Sequence, residues 1–232
     1  MRALLLAGGI GSRLRPITDT IPKCLVPIHG RPLLAYWLHL LFAGECERVL
    51  INTYYLPDKV REFVVSSPWH SRIDLVHEPE LLGTGGTIVA NGDYFAGEPF
   101  FVGHADNLTR FDLAQFRRAH SERPRQCAMT MMTFRTETPE SCGIVETDAN
   151  GVVQAFHEKV ENPPGNLANA AVYMLEPEIL IFSNSVRKSV FDFQIEVIPN
   201  FVGRIFSFEN TDYHRDIGTP ESLGRALVEY SA

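Results

Sequence analysis

The residues best equipped for chemistry stand near the start of the chain. Gly8, Gly9 and Gly11 follow the apolar run Leu4-Leu5-Leu6, and Arg13, Arg15 and Lys23 come after them. Glycine lacks a Cβ, so such a turn can bend sharply and bring backbone N–H groups close to an anion. A Gly-rich turn after a buried strand, with cations fixed downstream, is what a polyphosphate requires. The glycines alone would equally suit a tight turn with solvated arginines; Arg13, Pro22 and Lys23 at these spacings favour the phosphate site. Two better-known loops are excluded. A Walker loop needs Lys directly after its last glycine, and Lys23 lies far beyond Gly11. The dinucleotide fingerprint needs a third glycine where Leu14 stands.

Two carboxylates follow the same logic. Asp106 closes the apolar run from Pro99. Ligands of open α/β sheets gather beyond the carboxyl ends of the strands, so Asp106 stands where a metal ligand is expected. Capping of the next turn is the plainer alternative. Asp216 precedes Gly218-Thr219-Pro220, which reads as the N-cap of a last helix.

These residues need a scaffold. Strands are expected over 2–6, 48–53, 73–77 and 99–106. Helices are expected over 32–41, with Pro32 at its start and Gly44 beyond its end, over 57–64, and over 112–121 with Asp112 as cap. A second Gly-rich segment at 83–86 leads into a helix expected over 87–91. This alternation predicts an α/β fold with parallel strands. After a strand over 127–133 the pattern changes. Residues 143–147 and 152–156 flank Asp148-Ala149-Asn150-Gly151, and Asn-Gly between alternating runs signals a hairpin. Short helices from Glu176-Pro177 and over 191–199, a strand over 204–209 and the helix after Thr219 complete the reading.

Composition bounds the partners. The 232 residues are 45% apolar, enough for one core or a compact two-lobed domain. A formal net charge of −7 argues against nucleic acid as a partner. Yet Arg2, Arg13, Arg15, Lys23 and Arg31 face a single acid, Asp19, in the first 31 residues. A local cationic site on an acidic chain suits a small anion. Absence of a membrane-length apolar run and of a leader predicts no membrane partner and a cytoplasmic location. Cys24, Cys46, Cys127 and Cys142 form no Cys-x-x-Cys pair, which suits reduced thiols.

The stretch Leu6-Ala7-Gly8-Gly9-Ile10-Gly11-Ser12-Arg13-Leu14-Arg15-Pro16, continued by Pro22-Lys23-Cys24-Leu25-Val26-Pro27, resembles the signature of sugar-1-phosphate nucleotidylyltransferases. Ser12 replaces the usual Thr. The resemblance extends over essentially the whole chain and implies a Rossmann-like nucleotide-diphospho-sugar transferase fold. That is a mixed, mostly parallel sheet flanked by helices, with a small antiparallel sugar-binding lobe. It implies one domain over 1–232, mainly nucleotide-binding over 1–125 and mainly sugar-binding over 126–232, without the C-terminal β-helix of some relatives.

The same resemblance implies roles. Leu6, Ala7, Gly8, Gly9, Gly11, Ser12 and Arg13 would hold the triphosphate, with Arg13 and Lys23 catalytic. Gly83, Thr84 and Gly85 would lie beside the nucleobase. Asp106 and Asp216 would hold Mg²⁺ or Mn²⁺. Gly143, Glu158, Lys159 and Asn169 would bind the sugar phosphate. Side chains alternate along a regular strand, so Glu158 and Lys159 can serve one ligand only if the strand ends or bulges there. Ala171 stands where the family motif Asn-x-Gly-x-Tyr has glycine.

The expected partners are therefore an NTP and a sugar 1-phosphate, and a homo-oligomer is left open. Glu80 precedes Leu82-Gly83-Thr84-Gly85-Gly86, and a carboxylate only accepts hydrogen bonds, which suits the N1 and N2 donors of guanine. The wording there looks most like guanylyltransferases for mannose- or D-glycero-D-manno-heptose-1-phosphate. The alternative is a uridylyl- or thymidylyltransferase acting on glucose-1-phosphate or an amino-sugar 1-phosphate. A non-catalytic nucleotide-binding regulatory subunit ranks below both. A glycosyltransferase would call for Asp-x-Asp, which Asp106-Asn107-Leu108 does not supply.

Overall fold

The computed structural model describes residues 1–230. Strands β1 (Arg2–Leu6), β2 (Pro27–Ile28) and β3 (Arg31–Pro32) precede helix α1 (Leu33–Ala43). Then come β4 (Arg48–Thr53), α2 (Pro57–Ser66), β5 (Ile73–His77), α3 (Gly83–Ala90), β6 (Phe100–His104), β7 (Asn107–Arg110) and α4 (Leu113–Glu122). They are followed by β8 (Met129–Arg135), β9 (Gly143–Thr147), β10 (Val153–Glu158) and β11 (Leu167–Leu175). The last elements are α5 (Pro177–Asn184), α6 (Phe193–Glu196), β12 (Ile205–Glu209), β13 (Tyr213–Asp216) and α7 (Pro220–Glu229).

The chain forms two compact units that interleave along the sequence. One holds Met1–Leu81, Gly103–Arg110 and the chain from Asp212 onward; the other holds Leu82–Val102 and Phe111–Thr211. The pairing of β13 with β7 is what returns the chain to the first unit.

In the first unit β1, β4 and β5 run parallel, with Leu4 opposite Leu50 and Ile51 opposite Leu75. Ala3, Leu4, Leu5, Val49, Leu50 and Ile51 are buried, the continuous apolar pattern of a parallel sheet covered on both faces. The apolar side of α1 is buried through Leu34, Trp37, Leu38 and Leu41, and Gly44 ends the helix. The Trp37 indole N–H donates to the Asn107 carbonyl at 2.9 Å and so pins β7. β7 and β13 pair antiparallel with Asp216 opposite Asn107. Leu14, Val26, Ile28, Leu33, Leu108, Ile217, Leu223, Ala226 and Tyr230 form one buried cluster. Each such large apolar side chain contributes roughly 1.5–3 kcal/mol on burial, so α7 is bound firmly to the strands and turns it covers.

In the second unit β8, β11, β9 and β10 pair antiparallel in that order, and β12 adds to β8 in parallel. The predicted hairpin is β9–β10. The Asp148 carboxylate accepts from the amides of Asn150 and Val152, and Gly151 turns the chain with φ +76. Asp112 caps α4, accepting from the amides of Ala114 and Gln115. The fold is mixed α/β, as expected. Two expectations need correction. α3 begins at Gly83, not at 87, because a distant segment packs on the glycines and holds them in the first helical turn. β7 and β13 were not expected; they are short and carry polar side chains, so hydrophobic alternation does not reveal them.

Candidate functional site

The first glycine loop leaves β1 at Leu6. Gly8 is buried, and a Cβ there would stand 3.1 Å from the Asn52 amide nitrogen and 3.3 Å from Leu81. Asn52 explains this closeness. Its Oδ1 accepts from the Ala7 amide at 2.7 Å, and its Nδ2 donates to the buried Glu78 carboxylate at 3.1 Å. Gly9 lies open. Gly11 adopts φ +67, which a non-glycine residue rarely adopts, and its carbonyl accepts from the Thr18 hydroxyl at 2.7 Å. Ser12 and Arg13 are exposed in the short helical turn that follows.

Asp106 follows β6, where the Ala105 amide donates to the Leu6 carbonyl at 3.0 Å. That bond holds Asp106 next to the start of the loop. Asp216 arrives at the end of β13, and the Ile217 amide donates to the Asp106 carbonyl at 3.2 Å. The two acids converge on Lys23. Its ammonium donates to Asp106 at 2.7 Å and to Asp216 at 2.8 Å, although Lys23 is only 5% exposed. Burial pulls the Lys23 pKa down, but the two carboxylates outweigh it and hold it above 10.5. Burial likewise pushes the Asp106 carboxyl up, and the Lys23 ammonium, helped by His104, brings it below its ordinary value. The Arg13 guanidinium stands 3.6 Å from Asp216 in an exposed pair worth little for stability. Gly218 makes room for that pair: a Cβ there would lie 2.6 Å from the Asp216 carboxylate and 2.8 Å from Arg13. Cys24, next to Lys23, is no nucleophile, because burial and then Asp106 push its thiol up to about 12.

The second glycine segment differs. The amides of Gly85 and Gly86 donate to the Phe191 carbonyl at 3.0 and 3.3 Å. The Thr84 hydroxyl donates to Asp192 at 3.1 Å and accepts from the Phe193 amide at 2.7 Å. Glu80 is exposed; the buried acid of this region is Glu78.

Within the second unit the predicted sugar residues cluster. β10 ends at Glu158, and Lys159 takes a left-handed φ of +49, so the two side chains escape strand alternation and pair at 3.2 Å. Gly143 lies against them: a Cβ there would stand 2.6 Å from the Glu158 Oε2. That oxygen is buried and has no hydrogen-bond partner. Asn169 is buried, donating to the Tyr173 hydroxyl at 2.7 Å and accepting from the Ala171 amide at 2.9 Å. Ala171 carries φ +54 inside the irregular stretch of β11. Asn52, Glu78, Phe191 and Asp192 were missed from sequence. Each is an ordinary residue type in no motif; Asn52 and Phe191 stand against Gly8 and Gly85, while Glu78 and Asp192 are reached only through Asn52 and Thr84.

The family described as nucleotidyl transferase matches residues 2–232. The chain belongs to this family. It is 33% identical over 232 residues to a mannose-1-phosphate guanylyltransferase of Mycobacterium tuberculosis, covering 98% of this chain and 64% of that protein. It is 29% identical to the mannose-1-phosphate guanylyltransferase catalytic subunit beta of Drosophila melanogaster, covering 99% of this chain and 62% of that protein. The chain thus spans a little under two thirds of these relatives. The crystal structure of HddC from Yersinia pseudotuberculosis shares the fold with a TM-score of 0.83 and 25% identity, over 99% of both chains. A second HddC structure, in complex with GMP-PN, gives 0.82 and 26% over the same share of each chain.

Proposed function

We propose that this family member transfers a nucleotidyl group from an NTP to a sugar 1-phosphate. An oxygen of the sugar phosphate attacks the α-phosphorus, the bond to the β-phosphate oxygen breaks, and pyrophosphate leaves. No general base is needed, since a sugar phosphate carries roughly 1.5–2 negative charges at neutral pH. The obstacle is repulsion between two polyanions, and catalysis is charge neutralisation and alignment. The observation that carries this reading is the buried Lys23 ammonium held by Asp106 and Asp216 at the glycine loop.

Arg13 and Lys23 would neutralise the triphosphate and the departing pyrophosphate, while the loop amides from Ala7 to Ser12 cradle it. Lys159 would meet the sugar phosphate. The unpartnered Glu158 oxygen and Asn169 would meet sugar hydroxyls, since a buried acceptor without a donor favours a ligand that brings one.

Asp106 and Asp216 fit a divalent cation. They already converge on one cation, the Lys23 ammonium, and their hard oxygens suit Mg²⁺ or Mn²⁺. Among the described residues no group of three or more His, Cys, Asp or Glu could hold a metal alone, so phosphate and water would complete the shell. Bound there, the ion would add positive charge beside the reacting phosphates.

GTP with a manno-configured sugar 1-phosphate, mannose or heptose, is the favoured pair. The guanylyltransferase names of the relatives and the GMP-PN complex of HddC support it. Glu80, exposed just before the second glycine segment, would select the base by accepting from guanine. The test is pyrophosphate release across GTP, UTP, dTTP, CTP and ATP with several sugar phosphates. Preference for dTTP or UTP with glucose-1-phosphate would replace the guanine reading. Nucleotide binding without pyrophosphate release from any pair would make the chain a regulatory subunit.

A further inference from the structure

The glycines of α3 are occupied by the protein's own chain. A Cβ at Gly83, which has φ +72, would lie 2.5 Å from the Phe191 carbonyl oxygen; one at Gly85 would overlap the Phe191 ring, and one at Gly86 would overlap the Ser189 carbonyl. The Phe191 amide also donates to the Leu82 carbonyl at 3.0 Å, so Phe191 is bonded to this segment from both sides of its peptide unit. These glycines therefore admit the 189–191 segment.

Thr84 has its hydroxyl engaged twice, as donor to Asp192 and as acceptor from the Phe193 amide. Its contribution to a nucleotide is then made by backbone, and the position of that backbone depends on Asp192. The Asp192 carboxylate divides its work. Oδ1 accepts from the amides of Gln194 and Ile195 and caps α6, while Oδ2 accepts from Thr84. Lys188 pairs with Glu196 and ties the two ends of the clasp together.

We infer that Asp192 is a positioning residue for nucleotide recognition, fixing the Leu82–Gly86 backbone through Thr84. This rests on the nucleotidyl-transfer reading. The division of the carboxylate makes it testable. Asp192→Asn keeps an acceptor for the α6 cap, since Asn is as good a cap as Asp, but presents N–H donors to Thr84. Thr84→Val removes the other partner of the bond together with the acceptor of the Phe193 amide, and leaves in place the Oδ1 bonds from Gln194 and Ile195.

The measurements are the affinity for a non-hydrolysable GTP analogue, the steady-state constants, and amide exchange at Gly85 and Gly86. Both variants should raise the analogue Kd and the nucleotide KM roughly tenfold, the scale of one lost charge-assisted hydrogen bond. For Asp192→Asn, turnover at saturating nucleotide should hold within about twofold, since uniform binding is what is lost. Exchange at Gly85 and Gly86 should quicken in both. A fall in kcat and melting temperature without a change in nucleotide KM would mean a structural role only and overturns the inference. Wild-type binding that both variants leave unchanged overturns the inference alone. Absence of nucleotide binding by the wild-type chain overturns the functional reading and the inference with it.

Discussion

At Gly9 an added Cβ would meet nothing within 4 Å; at Gly85 it would overlap the ring of Phe191. These glycines stand in segments of similar composition, one after β1 and one opening α3. The first segment keeps open space at Gly9, whereas Gly8 and Gly11 are hemmed in by Asn52, Leu81, Thr18 and Lys23. The second is filled by residues 189–191 of the same chain. A run of glycines therefore has two physical readings, room kept for a ligand and room taken by a neighbour. What separates Gly9 from Gly85 is whether an added Cβ would meet a distant part of the chain.

The largest effects should come from the first segment's charges. Lys23→Met should lower turnover roughly 10²-fold or more, the scale for removing one preorganised charge-stabilising group. It should also cost about 2 kcal/mol of stability, less than a fully buried pair because both acids are partly exposed. The pH dependence fixes the sign. Asp106 has a lowered carboxyl pKa and Lys23 a raised one. Their mutual stabilisation is present from about pH 4 to about pH 10, is lost below as Asp106 protonates, and is lost above as Lys23 deprotonates. Thermal melting across pH should show the Lys23→Met deficit shrinking as pH falls through the carboxylate range. EDTA should remove turnover while leaving the wild-type melting temperature nearly unchanged, because Lys23 already neutralises the acids; full activity in EDTA would reject the metal assignment.

Next comes the filled segment. Gly85→Ala should cost about 2–3 kcal/mol by overpacking against Phe191, read by denaturant unfolding. Phe191→Leu in the same chain should restore part of that loss, since it removes the ring the methyl meets. A converse case exists at Ala171, where the backbone takes φ +54 and the sequence supplies a Cβ. Ala171→Gly should stabilise by about 1 kcal/mol or less. The smallest stability effect belongs to Gly9→Ala, under about 0.5 kcal/mol because the added methyl meets no neighbour. Its nucleotide KM should nonetheless rise a few-fold. A Gly9→Ala chain that loses stability while Gly85→Ala does not would break the comparison outright.

Much of the scaffold was legible because its signals are local. The Leu4-Leu5-Leu6 run, Pro32 and Gly44 around α1, Asp112 before α4 and the Asn150-Gly151 turn each act on residues within a few positions. The helix start at Gly83 was misread because its cause, Phe191, lies more than a hundred residues away. The site shows the same limit. Asp106 and Asp216 could be singled out by motif, but their convergence on Lys23 depends on the β7–β13 pairing, which carries no hydrophobic pattern. Asn52 and Glu78 were invisible, since nothing in their neighbourhood marks a buried amide–carboxylate pair that holds the Ala7 amide.

The separation of Lys23 from Asp216 is 193 residues. At about 5–20 residues per second of synthesis, roughly 10–40 s pass between the appearance of the ammonium and that of its second carboxylate. Throughout that interval the cluster of Leu14, Val26, Ile28 and Leu33 also waits for Leu223, Ala226 and Tyr230. The unit begun by β1 is thus completed only once α7 has been made. A nascent chain must keep β1 and its neighbours from premature association until α7 emerges, and a ribosome stalled before Asp216 would hold out a phosphate loop with an incomplete set of charges.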